Sequence, residues 1–335
     1  MDAVSRTWLR WGLLLSPLPA ALLALQFGAY PIPSGKIWQI LGLPVGMGQP
    51  PEAMVNILWQ VRLPRIILAM LVGLALSSSG TALQAIFRNP LVDAFILGLS
   101  AGAALGCALS VAFWPGLPIQ ITAFLCSLLA ALLTFALAHT RGEVPILSLI
   151  LAGVIVSAFF SALVSMIKFI VDPHKLASIV FWLMGSLSLG DWQAVRQAGP
   201  WIGLGAVLIW LGRWRLNALS MGDAEAKALG VDVRRERGLF LLAAALSVAA
   251  SVSVSGIIGW VGLMVPHVVR MLIGPDHRWV VPLSMALGAT FMVLSDTVAR
   301  TFTGGEIPVG IITTLTGAPF FILLLKQRGQ ESWRT

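Results

Sequence analysis

Residues 96–106 read ILGLSAGAALG, and two opposite proteins can be built from those letters. Gly98-Leu99-Ser100-Ala101-Gly102 spells G-x-S-x-G, the nucleophile elbow in which a strained strand-to-helix turn exposes a catalytic serine. The same run sets Gly98, Gly102 and Gly106 four residues apart, a smooth stripe of the kind that lets membrane helices approach closely. An elbow needs a strand ahead of it, and a histidine and an acid brought to the serine. The preceding residues, NPLVDAFIL (89–97), show no alternating pattern and open a helix. An intramembrane serine protease would need Ser100 facing His267, and no oxyanion-hole group can be named. The stretch is therefore read as helix packing, and the rest of the chain as a membrane bundle.

Composition supports that reading. Of 335 residues, 58% are hydrophobic and 11% charged, with a mean hydropathy of +0.90. Soluble domains carry about 25% charged residues, so this chain cannot cover a soluble particle of its size. The apolar residues fall in long runs separated by short polar clusters, as crossings of roughly 20 helical residues require. A membrane β-barrel would instead show alternating segments of about ten residues, and these are lacking. Cys107 and Cys126 both lie inside apolar runs and read as packing residues, with no disulfide framework and no metal site. The first apolar run follows Arg6 and Arg10 in the manner of a signal peptide. It is read as an uncleaved first span.

Ten spans are expected, over about 11–30, 63–82, 92–113, 118–138, 145–170, 197–212, 238–256, 258–273, 279–299 and 307–325. The fold class is thus all-α, one polytopic transmembrane domain over 1–335. An even number of crossings puts both termini on one side. Of the 22 Lys and Arg, only Lys36, Arg62, Arg65, Lys168, Lys175, Arg196 and Arg300 fall on the opposite side. The positive-inside bias then makes both termini cytoplasmic. The most charged stretch, 213–237, lies on the cytoplasmic side and reads as two short helical pieces joined at Met221-Gly222-Asp223. On the outer side, 172–186 reads as a short amphipathic helix lying flat. Asp93, Glu143, Asp191 and Glu306 stand near span ends and read as edge charges rather than a proton relay.

Several blocks, in order along nearly the whole chain, resemble the vitamin B12, haem and iron-siderophore permeases of ABC importers, the large type II importers. They are VRLPRIILAMLVGLALSSSGTALQAIFRNPLVDAFILGLSAGAALG (61–106), LILAGVIVSAFFSAL (149–163), FWLMGSLS (181–188), LNALSMGDAEAKALGV (216–231), GWVGLMVPHVVRMLIGPDHR (259–278) and EIPVGIITTLTGAPFFILLL (306–325). The resemblance implies a ten-helix subunit that pairs with a second copy, two cytoplasmic ATPases and an external binding protein, in a bacterial inner membrane. ATP and magnesium would sit on the ATPases, and this chain would hold no cofactor. The cargo would be a metal chelate (iron-siderophore, haem or cobalamin) or an oxyanion such as molybdate.

Residue roles follow from the same resemblance. Met221, Gly222, Glu225, Ala226, Ala228, Leu229 and Gly230 would form the ATPase-coupling helix, a small exposed helix stopped by glycine. Arg62, Arg65 and Arg300, set against the charge bias, would hold carboxylates of the binding protein, a task suited to the planar guanidinium. Their residue-level alternatives are snorkelling to lipid phosphate and, for Arg300, an i,i+4 pair with Asp296. Ser157, Ser161 and Ser165 with Thr313, Thr314 and Thr316 would line the translocation path, although small hydroxyl residues also serve helix packing. Ile146 and Leu147 align with the inner gate.

The chain carries no ATP site of its own. GAYPIPSGKI (28–37) puts Tyr30 where a phosphate loop needs its first glycine, and Ile37 where Ser or Thr would bind magnesium. An ion-coupled secondary transporter would place ionisable residues at mid-membrane, and the span centres are almost free of charge.

Overall fold

Proline and glycine decide where the helices begin and end. The computed structural model describes residues 3–28, 30–42, 50–139, 145–302 and 305–332, and among these it is helical with no strand. Arg141 and Glu143 lie outside the described residues. Helix α1 (Ala3–Leu15) is parted from α2 (Pro17–Gln26) at Pro17, and α3 (Ser34–Ile40) starts after Pro33. Next, α4 (Glu52–Asn56), a π-helical turn (Ile57–Arg62) and α5 (Leu63–Phe87) run on as one helix. The wide turn immediately precedes Pro64, which has no N–H to return to the preceding turn.

Beyond Arg88 come α6 (Leu99–Phe113), α7 (Ile119–Ala138), α8 (Ile146–Ile170) and the short α9 (Pro173–Leu183). The remainder is α10 (Trp192–Met221), α11 (Asp223–Ala228), α12 (Val233–Ser255), α13 (Val261–Ile273), α14 (His277–Thr301) and α15 (Val309–Ser332). Among the described residues, seven helical segments are long and apolar enough to cross a membrane, and Leu99–Phe113, Val261–Ile273 and Val309–Leu324 are shorter apolar helices. Each of these ten coincides with one span expected from sequence.

The second span starts at Glu52 rather than 63, and three further boundaries differ from the expectation for a local reason. The third span is not continuous from 92. A 3-10 turn (Ala94–Leu97) is capped by Asp93, which accepts the Phe95 N–H at 3.0 Å, and α6 starts only after Gly98 at φ 78°. The sixth helix runs on to Met221, because nothing breaks it before Gly222. Residues 213–221 are therefore the end of α10 and not a separate piece. The outer helix is Pro173–Leu183, shorter than 172–186, capped by Asp172 through the His174 and Lys175 N–H groups at 3.1 Å and closed off by Gly185 at φ 71°.

The bundle is small and hydroxyl-bearing inside, large and apolar outside. In α5, Ser77, Ser78, Ser79 and Thr81 are wholly buried. Ser77, Ser78 and Thr81 spend their hydroxyls on carbonyls one turn back, at 2.6, 2.7 and 2.8 Å. On α7 the exposed row is Ile121, Leu125, Leu129 and Leu132, the face a lipid chain would meet. A Cβ on Gly73 would stand 2.1 Å from the Gly288 carbonyl oxygen, and one on Gly80 2.0 Å from that of Gly262. Helix α5 thus crosses α14 and α13 backbone to backbone, which only glycine permits there.

Candidate functional site

The opening stretch resolves in two parts. A Cβ on Gly102 would lie 2.4 Å from the Cys126 carbonyl oxygen, and one on Gly106 2.3 Å from that of Thr122. Those two glycines seat α6 on α7. Gly98 does not belong to that stripe: it is the left-handed residue that starts α6, and a Cβ there would first meet Val156 of α8 at 3.3 Å. Ser100 faces α8 across a groove, while His267 lies against the rings of Phe320 and Phe321 in α15, at 6.2 and 6.1 Å between centroids. The two side chains occupy different neighbourhoods, so no elbow forms.

The groove beside Ser100 has a volume of about 430 Å³ and is lined by Ser157, Ser161, Ser165 and Lys168 of α8, with Ala101 and Ala104 opposite. The serine row read from sequence does share one surface. The threonines do not join it. Thr313 is wholly buried, and the Thr313, Thr314 and Thr316 hydroxyls bond back to Gly310 and Ile312 carbonyls at 3.1, 2.8 and 2.6 Å. Ile146 is partly buried beside α12, whereas Leu147 is 67% exposed. The two gate candidates therefore point to different surroundings.

The outer arginines turn inward. Arg62, Arg65 and Arg300 are 3%, 6% and 9% exposed. Arg65 grips Asp296 with Nε at 3.1 and 3.0 Å and Nη2 at 2.9 Å, and gives Nη1 to Glu306 at 2.8 Å. Arg62 donates to the Leu25 and Tyr30 carbonyls, and Arg300 to that of Ala24 at 2.6 Å. The carbonyls that α2 leaves open at its C-terminal end are thus closed by two guanidinium groups, which also suit the negative end of a helix. Arg300 stands 3.8 Å from Asp296, too far for a hydrogen bond. None of the three offers a free fork to a visiting carboxylate. Sequence reading could not see these contacts because the partners lie up to 276 residues away in the chain.

At the other end, α11 is a six-residue helix between Gly222 (φ 140°) and Gly230 (φ 77°), closed by the Val231 N–H reaching back to the Ala226 carbonyl at 3.0 Å. Met221, Glu225, Ala228, Leu229 and Gly230 are exposed, with Met221 at 62% and Leu229 at 64%. Gly222 and Ala226 are buried instead, so two of the seven expected coupling residues hold the helix in place and cannot touch a partner. Arg237 fixes the helix through Asp223 at 2.7 Å, and Arg215 pairs with the buried Glu236. These ion pairs give structural work to two arginines of the charged 213–237 stretch. Nearby, Asn217 joins α10 to α14, donating to Asp276 at 2.7 Å and accepting the His277 N–H at 2.8 Å. Burial pushes the Asp276 carboxyl up, but the Asn217 amide, the Arg278 N–H and the neighbouring charges outweigh it and hold it below its ordinary value.

A glycine-bracketed helix projecting from a ten-span bundle is a feature the known relatives can be asked about. A model of the FecCD transport family matches residues 15–327. The chain belongs to the FecCD transport family. A Helicobacter pylori protein named as an iron chelatin transport system permease is 46% identical over 82% of this chain and 83% of its own. The molybdate import system permease MolB of Haemophilus influenzae is 41% identical over 94% of each chain. A solved structure described as an inward-facing metal-chelate type ABC transporter matches with TM-score 0.86 and 38% identity, over 96% of this chain and 99% of that one. This FecCD chain is accordingly a multi-pass membrane protein and a permease subunit of an ABC transporter.

Sequence reading of the FecCD chain missed the Gly73–Gly288 and Gly80–Gly262 crossings. Their only signal was small residues on facing spans, which many other positions share. It also missed a basic cleft beside α11, whose residues come from five separate segments.

Proposed function

We propose that this permease pairs with a second copy of itself and imports a metal chelate handed over by an external binding protein. The observation that carries the reading is the end-to-end likeness to a metal-chelate type transporter, together with relatives named for iron chelatin and, in Yersinia pestis, hemin. Two ATP-binding-cassette ATPases, holding ATP and magnesium, dock on the exposed side of α11 through Met221, Glu225, Ala228 and Leu229. This chain hydrolyses nothing and holds no cofactor. The membrane is the bacterial cytoplasmic one, with both termini inside, as the Lys and Arg distribution favours.

The serine groove fits a path for bulky cargo because hydroxyls of modest polarity offer many weak contacts and no deep trap. In one chain the threonines of α15 do not reach that groove, so a path using both helices is completed by the second copy. The outer surface that receives the binding protein lies around Glu306, whose side chain is 45% exposed. It is the one carboxylate of the arginine cluster open to exchange with an incoming acid.

Uptake into vesicles carrying permease and ATPase, with ATP or binding protein withheld in turn, tests the reading. Iron chelate, haem and molybdate are the cargoes to compare. Uptake should vanish when either component is missing. Uptake that persists without both would make the protein a secondary transporter.

A further inference from the structure

Beside the coupling helix, where α5 and α7 finish and α8 and α12 begin, lies a cleft of about 710 Å³. Arg88, Lys227, Arg234 and Arg237 line it, and among the described residues Asp223 is the single lining carboxylate, which Arg237 already holds at 2.7 Å. Glu225 is not part of the lining, although its carboxylate and Arg88 Nη1 both lie over Gly222, at 2.2 and 3.4 Å from the point a Cβ would occupy. Among the described residues, Arg88, Lys227 and Arg234 have no carboxylate within ion-pair distance, and Arg237 keeps a buried Nε–H with no hydrogen-bond partner. Four cations against one lining carboxylate leave a net positive charge whose members repel one another unless an anion joins them. The apolar part of the lining is formed by Phe135, Ile146 and Leu241.

We propose that this cleft binds an anionic phospholipid, its phosphate held by Arg88, Arg234 and Lys227 and its acyl chain lying along Phe135, Ile146 and Leu241. The double character of the lining decides between occupants. A free phosphate would use the cations and leave the apolar wall bare to water, and so would a carboxylate of the ATPase. A phospholipid satisfies both walls at once. The cleft also stands at the ends of membrane helices, where headgroups lie, and basic pockets at that depth attract anionic lipid. Arginine forks suit phosphate oxygens. The inference goes beyond the transport reading, and only its assignment to the inner leaflet rests on the proposed topology.

The test is native mass spectrometry of the full permease with its ATPase, released from nanodiscs of phosphatidylcholine mixed with phosphatidylglycerol. The wild type should retain phosphatidylglycerol in preference to phosphatidylcholine. Arg88→Gln and Arg234→Gln should each cut that preference about fivefold, and the pair about 25-fold, with the ATPase still attached. Arg88→Lys with Arg234→Lys should keep most of it, which separates loss of charge from loss of fold. Undiminished preference in the double glutamine variant overturns the proposal. So does release of the ATPase with lipid retention unchanged, which would make the cleft a subunit contact. Displacement of the bound lipid by inorganic phosphate would assign the cleft to a free anion and equally overturn it.

Discussion

Asp296 is 1% exposed and is held by three contacts from Arg65. Removing one partner of such a pair leaves a charge buried in low dielectric, a loss of about 3–5 kcal/mol. Asp296→Ala should therefore lower the thermal midpoint of the purified permease sharply, whereas Glu306→Gln, at the exposed edge, should barely move it. An Arg65→Glu exchange intended to test docking would instead destroy the fold locally, so it cannot report on the binding protein. Glu306→Gln can. It frees one face of Arg65, and if an incoming carboxylate uses that face, binding-protein affinity rises. Unchanged affinity would leave Arg65 as purely structural. At Gly102, a leucine would run into the α7 backbone, a loss of at least about 1–3 kcal/mol readable in yield and melting. Ser100→Ala should be nearly silent, because the Ser100 hydroxyl is buried with no partner among the described residues.

At the scale of elements, α11 separates contact from support. Leu229 and Met221 are the exposed apolar residues at its two ends. Leu229→Asp should leave the permease folded yet weaken ATPase attachment and uncouple hydrolysis from uptake. Retained coupling in that variant would move the docking face elsewhere. Gly222 is a poorer probe: at φ 140°, with Glu225 Oε2 2.2 Å from any added Cβ, substitution strains the backbone before it touches a partner. Ala226, wholly buried, is confounded in the same way. The glycine-stopped helix itself was legible, because an N-terminal Asp, an alanine-rich turn and a closing glycine are local signals. Which of its faces is free was not, since α10 and α12 decide that by packing against it.

For the whole molecule, the ten spans follow from the length and polarity of each run, because the bilayer imposes the same local requirement on every crossing. The small-residue faces at Gly102 and Gly106 were legible for the same reason, while Gly98 was misassigned because a 3-10 turn and a helix share one letter pattern. The sequence by itself determined a membrane bundle, its number of crossings and the place of its projecting helix. Each of these depends on residues close together in the chain. Tertiary structure alone decided that Arg65 belongs to Asp296 and Glu306, that Arg62 and Arg300 close the end of α2, and that Arg88 and Arg234 meet in one cleft. A buried charge is defined by its partner, and the partners of Arg65 and Arg300 stand more than 200 residues away in the chain, joined only when the helices pack.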